Sequence, residues 1–140
     1  MNAETAFRCS AVVLAAGQSS RMGGPNKLLL PLEGEPLVRR TVRTVLESGV
    51  QEPVVVTGHQ AREVTRAVVD LPVTVQPNLR HEDGQMRSVA AGVAALARAT
   101  DAILVCPGDM PLLTAEDLLA PGGSLAAIAA VLPQLLEALR

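Results

Sequence analysis

The sequence contains no tryptophan and no tyrosine, and Phe7 is its single aromatic residue. Without aromatic faces it offers no stacking platform for nucleic-acid bases and no cage for quaternary ammonium groups. Lysine is almost absent as well: eleven of the twelve basic residues are arginine, and Lys27 stands alone. A chain that uses arginine nearly everywhere and keeps one lysine points to a need for a compact ammonium there. Cysteine is limited to Cys9 and Cys106, too few and too far apart for a zinc motif or a disulfide framework. Each lies in a run of small apolar residues, where a buried, inert thiol is the expectation. No excess of one charge is present either. The net charge of −2 implies no field-driven partner among nucleic acids or membrane surfaces. No apolar stretch approaches a membrane span. The N-terminal residues lack a basic region, and the first apolar run, Ala11 to Ala16, is too short for a secretory signal. The expected location is the cytoplasm.

What is present is a chain of 140 residues, 49% hydrophobic and 19% charged, enough for one domain with a real core and incompatible with a disordered tail. Its apolar content comes from Ala, Val and Leu. Short β-branched runs alternate with helix-length periodic segments, the pattern of an α/β domain with a mostly parallel sheet. Strands are expected at Ser10–Leu14, Pro53–Thr57, Val73–Val75 and Ala102–Cys106. Their unbroken apolar character suits strands covered on both faces, a three-layer, Rossmann-like arrangement. Leu37, Val38, Val42, Val45 and Leu46 form a helical stripe, with Arg39, Arg40 and Arg43 on the opposite, solvated face. A second helix runs from Gln60 to Val69. Met86, Val89, Ala90, Val93, Ala94 and Ala97 give a third helix its apolar stripe. Beyond Asp109 the alternation stops. A short helix capped by Thr114 is expected, then a break at Pro121-Gly122-Gly123, then a helix to the C-terminus kinked at Pro133.

The first strand leads into Gly17-Gln18-Ser19-Ser20-Arg21-Met22-Gly23-Gly24-Pro25-Asn26-Lys27. In open α/β sheets, ligands bind beyond the carboxyl ends of the strands. A Gly/Ser loop placed there exposes backbone N–H groups to phosphate oxygens, and Arg21 and Lys27 add positive charge. The P-loop does not fit, because no Gly-Lys-Ser/Thr is present. Dinucleotide fingerprints require closer glycines, and a nucleophile elbow requires glycine where Arg21 stands. A flexible connection remains the plain alternative for this loop. For Asp109 the plain alternative is a turn residue before Met110-Pro111. His59 could cap the helix that follows it or face a ligand. His81, Glu82 and Asp83 read as a solvated polar turn.

Leu14-Ala15-Ala16-Gly17, Ser19-Ser20-Arg21-Met22-Gly23 and Asn26-Lys27 together resemble the signature of MobA-like nucleotidyltransferases, most closely the molybdenum cofactor cytidylyltransferase branch. Support comes from Gly34-x-Pro36-Leu37-Val38, Gly58-His59, Asn78, Gly84-x-Met86-x-Ser88 and Gly108-Asp109-Met110-Pro111. The likeness covers residues 11–119. It implies transfer of CMP from CTP to molybdopterin with release of pyrophosphate, aided by Mg²⁺. A related transferase acting on a sugar or alcohol phosphate is the alternative enzyme, and an inactive nucleotide-binding relative the alternative without turnover. Under this resemblance Leu14, Ala15, Ala16, Gly17, Ser19, Ser20, Arg21 and Lys27 bind the nucleotide. The loop amides and Arg21 meet the β- and γ-phosphates, and Lys27 the α-phosphate. Asn78, Gly84 and Ser88 lie near base and ribose, and Asp109 holds the metal. Structurally, Gly84 could equally be a helix entry and Ser88 a first-turn hydroxyl. Lys27, Arg21 and Asp109 are the catalytic candidates. Family members continue past Gly-Asp-Met-Pro with more strands and a second acidic metal-site residue, none identifiable here. Residues 120–140 therefore read as the family's later helix joined early in one shortened domain spanning 1–140. A sheet edge left uncovered in this way would favour self-association.

Overall fold

The computed structural model describes residues 9–17, 26–50, 52–78, 85–96 and 102–109. In chain order the elements are β1 (Cys9–Ala15), a 3-10 turn (Lys27–Leu29), β2 (Pro31–Leu32), β3 (Glu35–Pro36) and α1 (Leu37–Glu47). There follow β4 (Val54–Thr57), α2 (Ala61–Val68), β5 (Thr74–Pro77), α3 (Gln85–Ala94) and β6 (Ala102–Pro107). The expected helices after residue 110 lie outside the described residues.

Four strands form one sheet in the order β5-β4-β1-β6, with every neighbouring pair parallel. Val12 sits opposite Val54 on one side and Val105 on the other, so β1 is flanked by strands on both edges. Alternate residues of the strands feed two cores. Ala11, Val13, Ala15, Val55, Leu104 and Cys106 pack with Val38, Val42 and Val45 of α1 and Val64 and Val68 of α2. Val12, Val54, Val56, Ile103 and Val105 pack with Val89 of α3 on the opposite face. β1, β4 and β6 are covered on both sides, which is why they read as continuous apolar runs, while the outer strand β5 is only partly buried. The expected three-layer α/β architecture is present. Burying each valine side chain contributes about 1.5–3 kcal/mol, so the valine-rich strands and helices supply the main driving force for this fold.

α1 starts directly after Pro36 and ends at Ser48 and Gly49, the latter at φ +97°. Glycine there takes the left-handed conformation that stops a helix without a Cβ penalty. The two-residue strands β2 and β3 pair antiparallel through a turn in which Glu33 and Gly34 both have positive φ. Nothing in the sequence periodicity announced this hairpin.

Two expectations require correction. Arg39, Arg40 and Arg43 do not form a merely solvated face. Arg39 makes a two-pronged contact with Asp70, Nη1 to Oδ1 at 2.6 Å and Nη2 to Oδ2 at 3.0 Å, and donates to the Ala67 carbonyl at 3.1 Å. Arg40 pairs with Glu33 and Arg43 with Glu35, both at 2.8 Å. The arginines therefore tie the hairpin to α1, and α1 to the end of α2. In α3, Val89 is buried and Val93 packs against the core as expected, but Ala94 is exposed, and Ser88 and Gly92 are buried. A Cβ on Gly92 would collide with Val12 and Val56 side chains, so the helix lies with its backbone against the sheet at that point. Close approach at a glycine turned the buried face away from the alanine stripe.

Candidate functional site

Parallel strands all deliver their following residues to the same edge of the sheet, and the candidates collect there. Leu14 at the end of β1 is half-buried, Ala15 and Ala16 are buried, and Gly17 is exposed. Among the described residues no atom lies within 4 Å of where a Gly17 Cβ would stand, and its φ makes no demand for glycine. The space beside this backbone is open. Glycine in such a place allows a ligand to approach the main chain closely.

Lys27 and Asp109, far apart in sequence, are brought to one neighbourhood by a tight contact between their neighbours. The Gly108 N–H donates to the Leu14 carbonyl at 2.9 Å. A Cβ on Gly108 would lie 3.0 Å from that carbonyl oxygen and 3.0 Å from Leu28 Cδ2. Glycine at 108 thus lets the end of β6 close onto both β1 and the 3-10 turn. Leu28 is buried, while the flanking Lys27 and Asp109 are exposed. The turn is held by Asn26, whose Oδ1 accepts the Leu28 N–H at 3.0 Å. Asn26 is 6% exposed, and its Nδ2 has no hydrogen-bond partner.

On the other side of β1, the His59 N–H donates to the Ala16 carbonyl at 3.2 Å, and the Asn78 N–H donates to the Thr57 carbonyl at 2.7 Å. The end of each strand is thereby fastened to its neighbour. Asn78 Nδ2 donates to Ser88 Oγ at 3.0 Å, with both residues buried. This bond joins the end of β5 to the first turns of α3, so the pair has a structural function whatever else it contacts. Thr57 is fully buried, and among the described residues its hydroxyl has no partner.

Asp109 also acts on the core beneath it. Burial, and secondly the Asp109 carboxylate, push the Cys106 thiol up to about 11. The Cys106 thiol donates to the Pro107 carbonyl at 3.3 Å. Cys106 is the buried, inert thiol that its sequence surroundings suggested. Among the described residues no cluster of three His, Cys, Asp or Glu side chains could hold a metal ion. A single exposed carboxylate suits Mg²⁺, which takes one or two protein carboxylates and completes its shell with phosphates and water.

The structure therefore brings Lys27 and Asp109 together at one part of the edge and Asn78 and Ser88 at another, with Gly17 and His59 at the ends of β1 and β4 between them. Ser19, Ser20, Arg21 and Gly84 lie outside the described residues. Gly108 and Asn26, which set the relative placement of Lys27 and Asp109, were not singled out as site residues from the sequence. A glycine between a strand end and an acidic residue was the signal available for Gly108.

No helix of the described residues is long and apolar enough to cross a membrane. The sequence profile of the MobA-like NTP transferase domain matches residues 11–133. The chain is 38% identical over 120 residues to the bifunctional protein GlmU of Allorhizobium ampelinum, an overlap covering 84% of this chain and 26% of GlmU. It is similar in structure to a nucleotidyl transferase from Methanothermobacter, with a TM-score of 0.72 and 39% identity. That overlap covers 79% of this chain and 55% of the other. It is also similar to Rv0371c of Mycobacterium tuberculosis, with a TM-score of 0.69 and 25% identity over 93% of this chain and 62% of that one. The chain thus spans about a quarter of GlmU and little more than half of the solved relatives. By this match across most of its length, and by a fold shared with a nucleotidyl transferase, the chain belongs to the MobA-like NTP transferase family.

Proposed function

We propose that this chain transfers a nucleoside monophosphate from a nucleoside triphosphate to a phosphorylated acceptor, releasing pyrophosphate. The observation carrying this reading is the approach of the Lys27 turn to Asp109 at the end of β1, fixed by the contact of Gly108 with Leu14 and Leu28. Membership of the family supports the reaction class. In the reaction, an oxygen of the acceptor's phosphate attacks the α-phosphorus, and the bond to the β-phosphate oxygen breaks. Negative charge gathers on the phosphoryl oxygens, so the protein's contribution is cations and aimed N–H groups, with no covalent nucleophile. Lys27 meets the α-phosphate. Arg21 and the amides around Ser19 and Ser20 take the β- and γ-phosphates. Leu14, Ala15, Ala16 and Gly17 form the floor, and Asn78, Gly84 and Ser88 border the nucleoside. Asp109 would hold Mg²⁺, which when bound neutralises phosphate charge.

The resemblance of Leu14-Ala15-Ala16-Gly17 to the cytidylyltransferase branch supports CTP as donor, and molybdopterin is the acceptor which that resemblance implies. A second reading takes a sugar or alcohol phosphate as acceptor; the similarity to relatives named bifunctional protein GlmU is compatible with it and does not rank it above the first. Pyrophosphate release measured with CTP, UTP, GTP and ATP against each acceptor class separates the two. Lys27→Ala is expected to lower turnover about 100-fold or more, with the circular dichroism spectrum unchanged. Nucleotide binding without pyrophosphate from any acceptor would leave only the inactive relative, and no nucleotide binding would remove the reading altogether.

A further inference from the structure

The four strand ends that open on the site stand in the spatial order β5, β4, β1, β6, and the groups beyond them differ in kind. Lys27 and Asp109 belong to the β1 and β6 side. An amide, a hydroxyl and an imidazole, from Asn78, Ser88 and His59, belong to the β5 and β4 side. With neighbouring strands about 4.8 Å apart, the series extends over about 14 Å. A ligand lying along this edge would meet charge at one end and hydrogen-bonding groups at the other.

His59 stands between the two. It does not cap α2: the cap position is Gln60, and no side chain bonds there. Among the described residues the imidazole has no hydrogen-bond or ion-pair partner. It is nevertheless half-buried, and its backbone is pinned to Ala16 beside the open space at Gly17. The turn that places it is strained. Gln60 adopts φ +53°, a left-handed conformation that is unfavourable for a non-glycine residue. That strain secures no helix cap. What it does secure is the position of His59 against β1.

From this placement we infer that His59 is a nucleoside-binding residue, a ring nitrogen forming a hydrogen bond with the ribose or base while Lys27 and Asp109 serve the phosphates. The inference rests on the nucleotidyl-transfer reading and adds His59 to the residues that border the nucleoside. Calorimetric titration with CTP and with inorganic tripolyphosphate, both with Mg²⁺, tests it on the whole chain. His59→Ala and His59→Leu are each expected to weaken CTP about tenfold and to change tripolyphosphate affinity by less than about twofold. His59→Gln, which restores a donor and an acceptor, should recover part of the loss. Lys27→Ala should weaken both ligands. Unchanged CTP affinity in either folded variant, or equal losses on the two ligands, would overturn the inference. So would failure of both the alanine and the leucine variants to fold, since His59 would then be a structural residue. A wild-type chain that binds tripolyphosphate but none of CTP, UTP, GTP and ATP sinks the nucleotidyl-transfer reading itself, an outcome distinct from all of these.

Discussion

On one face of the sheet, α1 and α2 meet the strands through valine side chains, Val38, Val42, Val45, Val64 and Val68. On the other face, α3 meets them partly through its own backbone, at Gly92 against Val12 and Val56. The first face is a layer of interdigitated side chains braced from outside by arginine pairs. It has many small contacts, and the loss of one can be shared among its neighbours. The second has a point where no spare volume exists, and valine, stiff at its first torsion, cannot swing aside. Because α3 also carries Ser88, bonded to Asn78, its depth against the sheet sets the side of the candidate site proposed to border the nucleoside. Packing tolerance is therefore lowest under the part of the site that does not carry the charge.

The strongest way to break this contrast is Gly92→Val. The substitution should destabilise the fold by about 3 kcal/mol, far outweighing the gain of under about 1 kcal/mol in helix propensity. Urea unfolding measures it, and a loss below about 1 kcal/mol would show that α3 can lift off the sheet freely.

A smaller effect belongs to the first face, where Cys106 is buried among Val13, Val38 and Leu104. Its thiol is held up to about 11 against an ordinary 9.0, chiefly by burial. The unfolded chain ionises first, so the native state binds more protons across this interval and stability falls as pH rises through it. Stability should thus be full below about pH 9 and decline by about 2 kcal/mol toward pH 11. With no tyrosine and one lysine, few other groups titrate there. Chemical unfolding across this range measures the decline, and Cys106→Ala should remove most of it.

The smallest effect is expected from Asp70→Asn at the outer brace. A hydrogen bond from Arg39 holds the Asp70 carboxyl below its ordinary range. Its stabilisation is present above the ordinary carboxylate range and is lost as pH falls through the lowered value, below about pH 4. The variant should lower the melting temperature slightly at neutral pH and low salt, with the difference vanishing at about 1 M salt. A large, salt-resistant loss would mean that the brace, not the valine layer, holds α1 to α2.

The apolar runs of β1, β4 and β6 were legible because strands buried on both faces show no alternation to misread. So was the α1 stripe at Val38, Val42 and Val45. The α3 face was not, because hydrophobic periodicity counts alanines and treats Gly92 as a gap, although close packing selects for the gap. The partners of Arg39, Arg40 and Arg43 were hidden for a different reason. Asp70 lies 31 residues from Arg39, and Glu33 and Glu35 reach the helix only through a hairpin of two-residue strands, too short for any period. In the site, Lys27 and Asp109 were readable as chemistry. Their proximity was not, since it depends on Gly108 meeting Leu14 and Leu28 across the register of β1 with β6.

That register has a kinetic consequence. β1 pairs with β6 from Cys9 opposite Ala102 to Leu14 opposite Pro107, joining segments near opposite ends of the described chain. Contacts this distant close late, and folds that depend on them form slowly. During synthesis β1 can pair with β4 well before β6 leaves the ribosome, leaving one edge of β1 waiting. The neighbourhood of Lys27 and Asp109 is completed by the same event that covers that edge, so a chain stalled before β6 has neither the finished sheet nor the finished site.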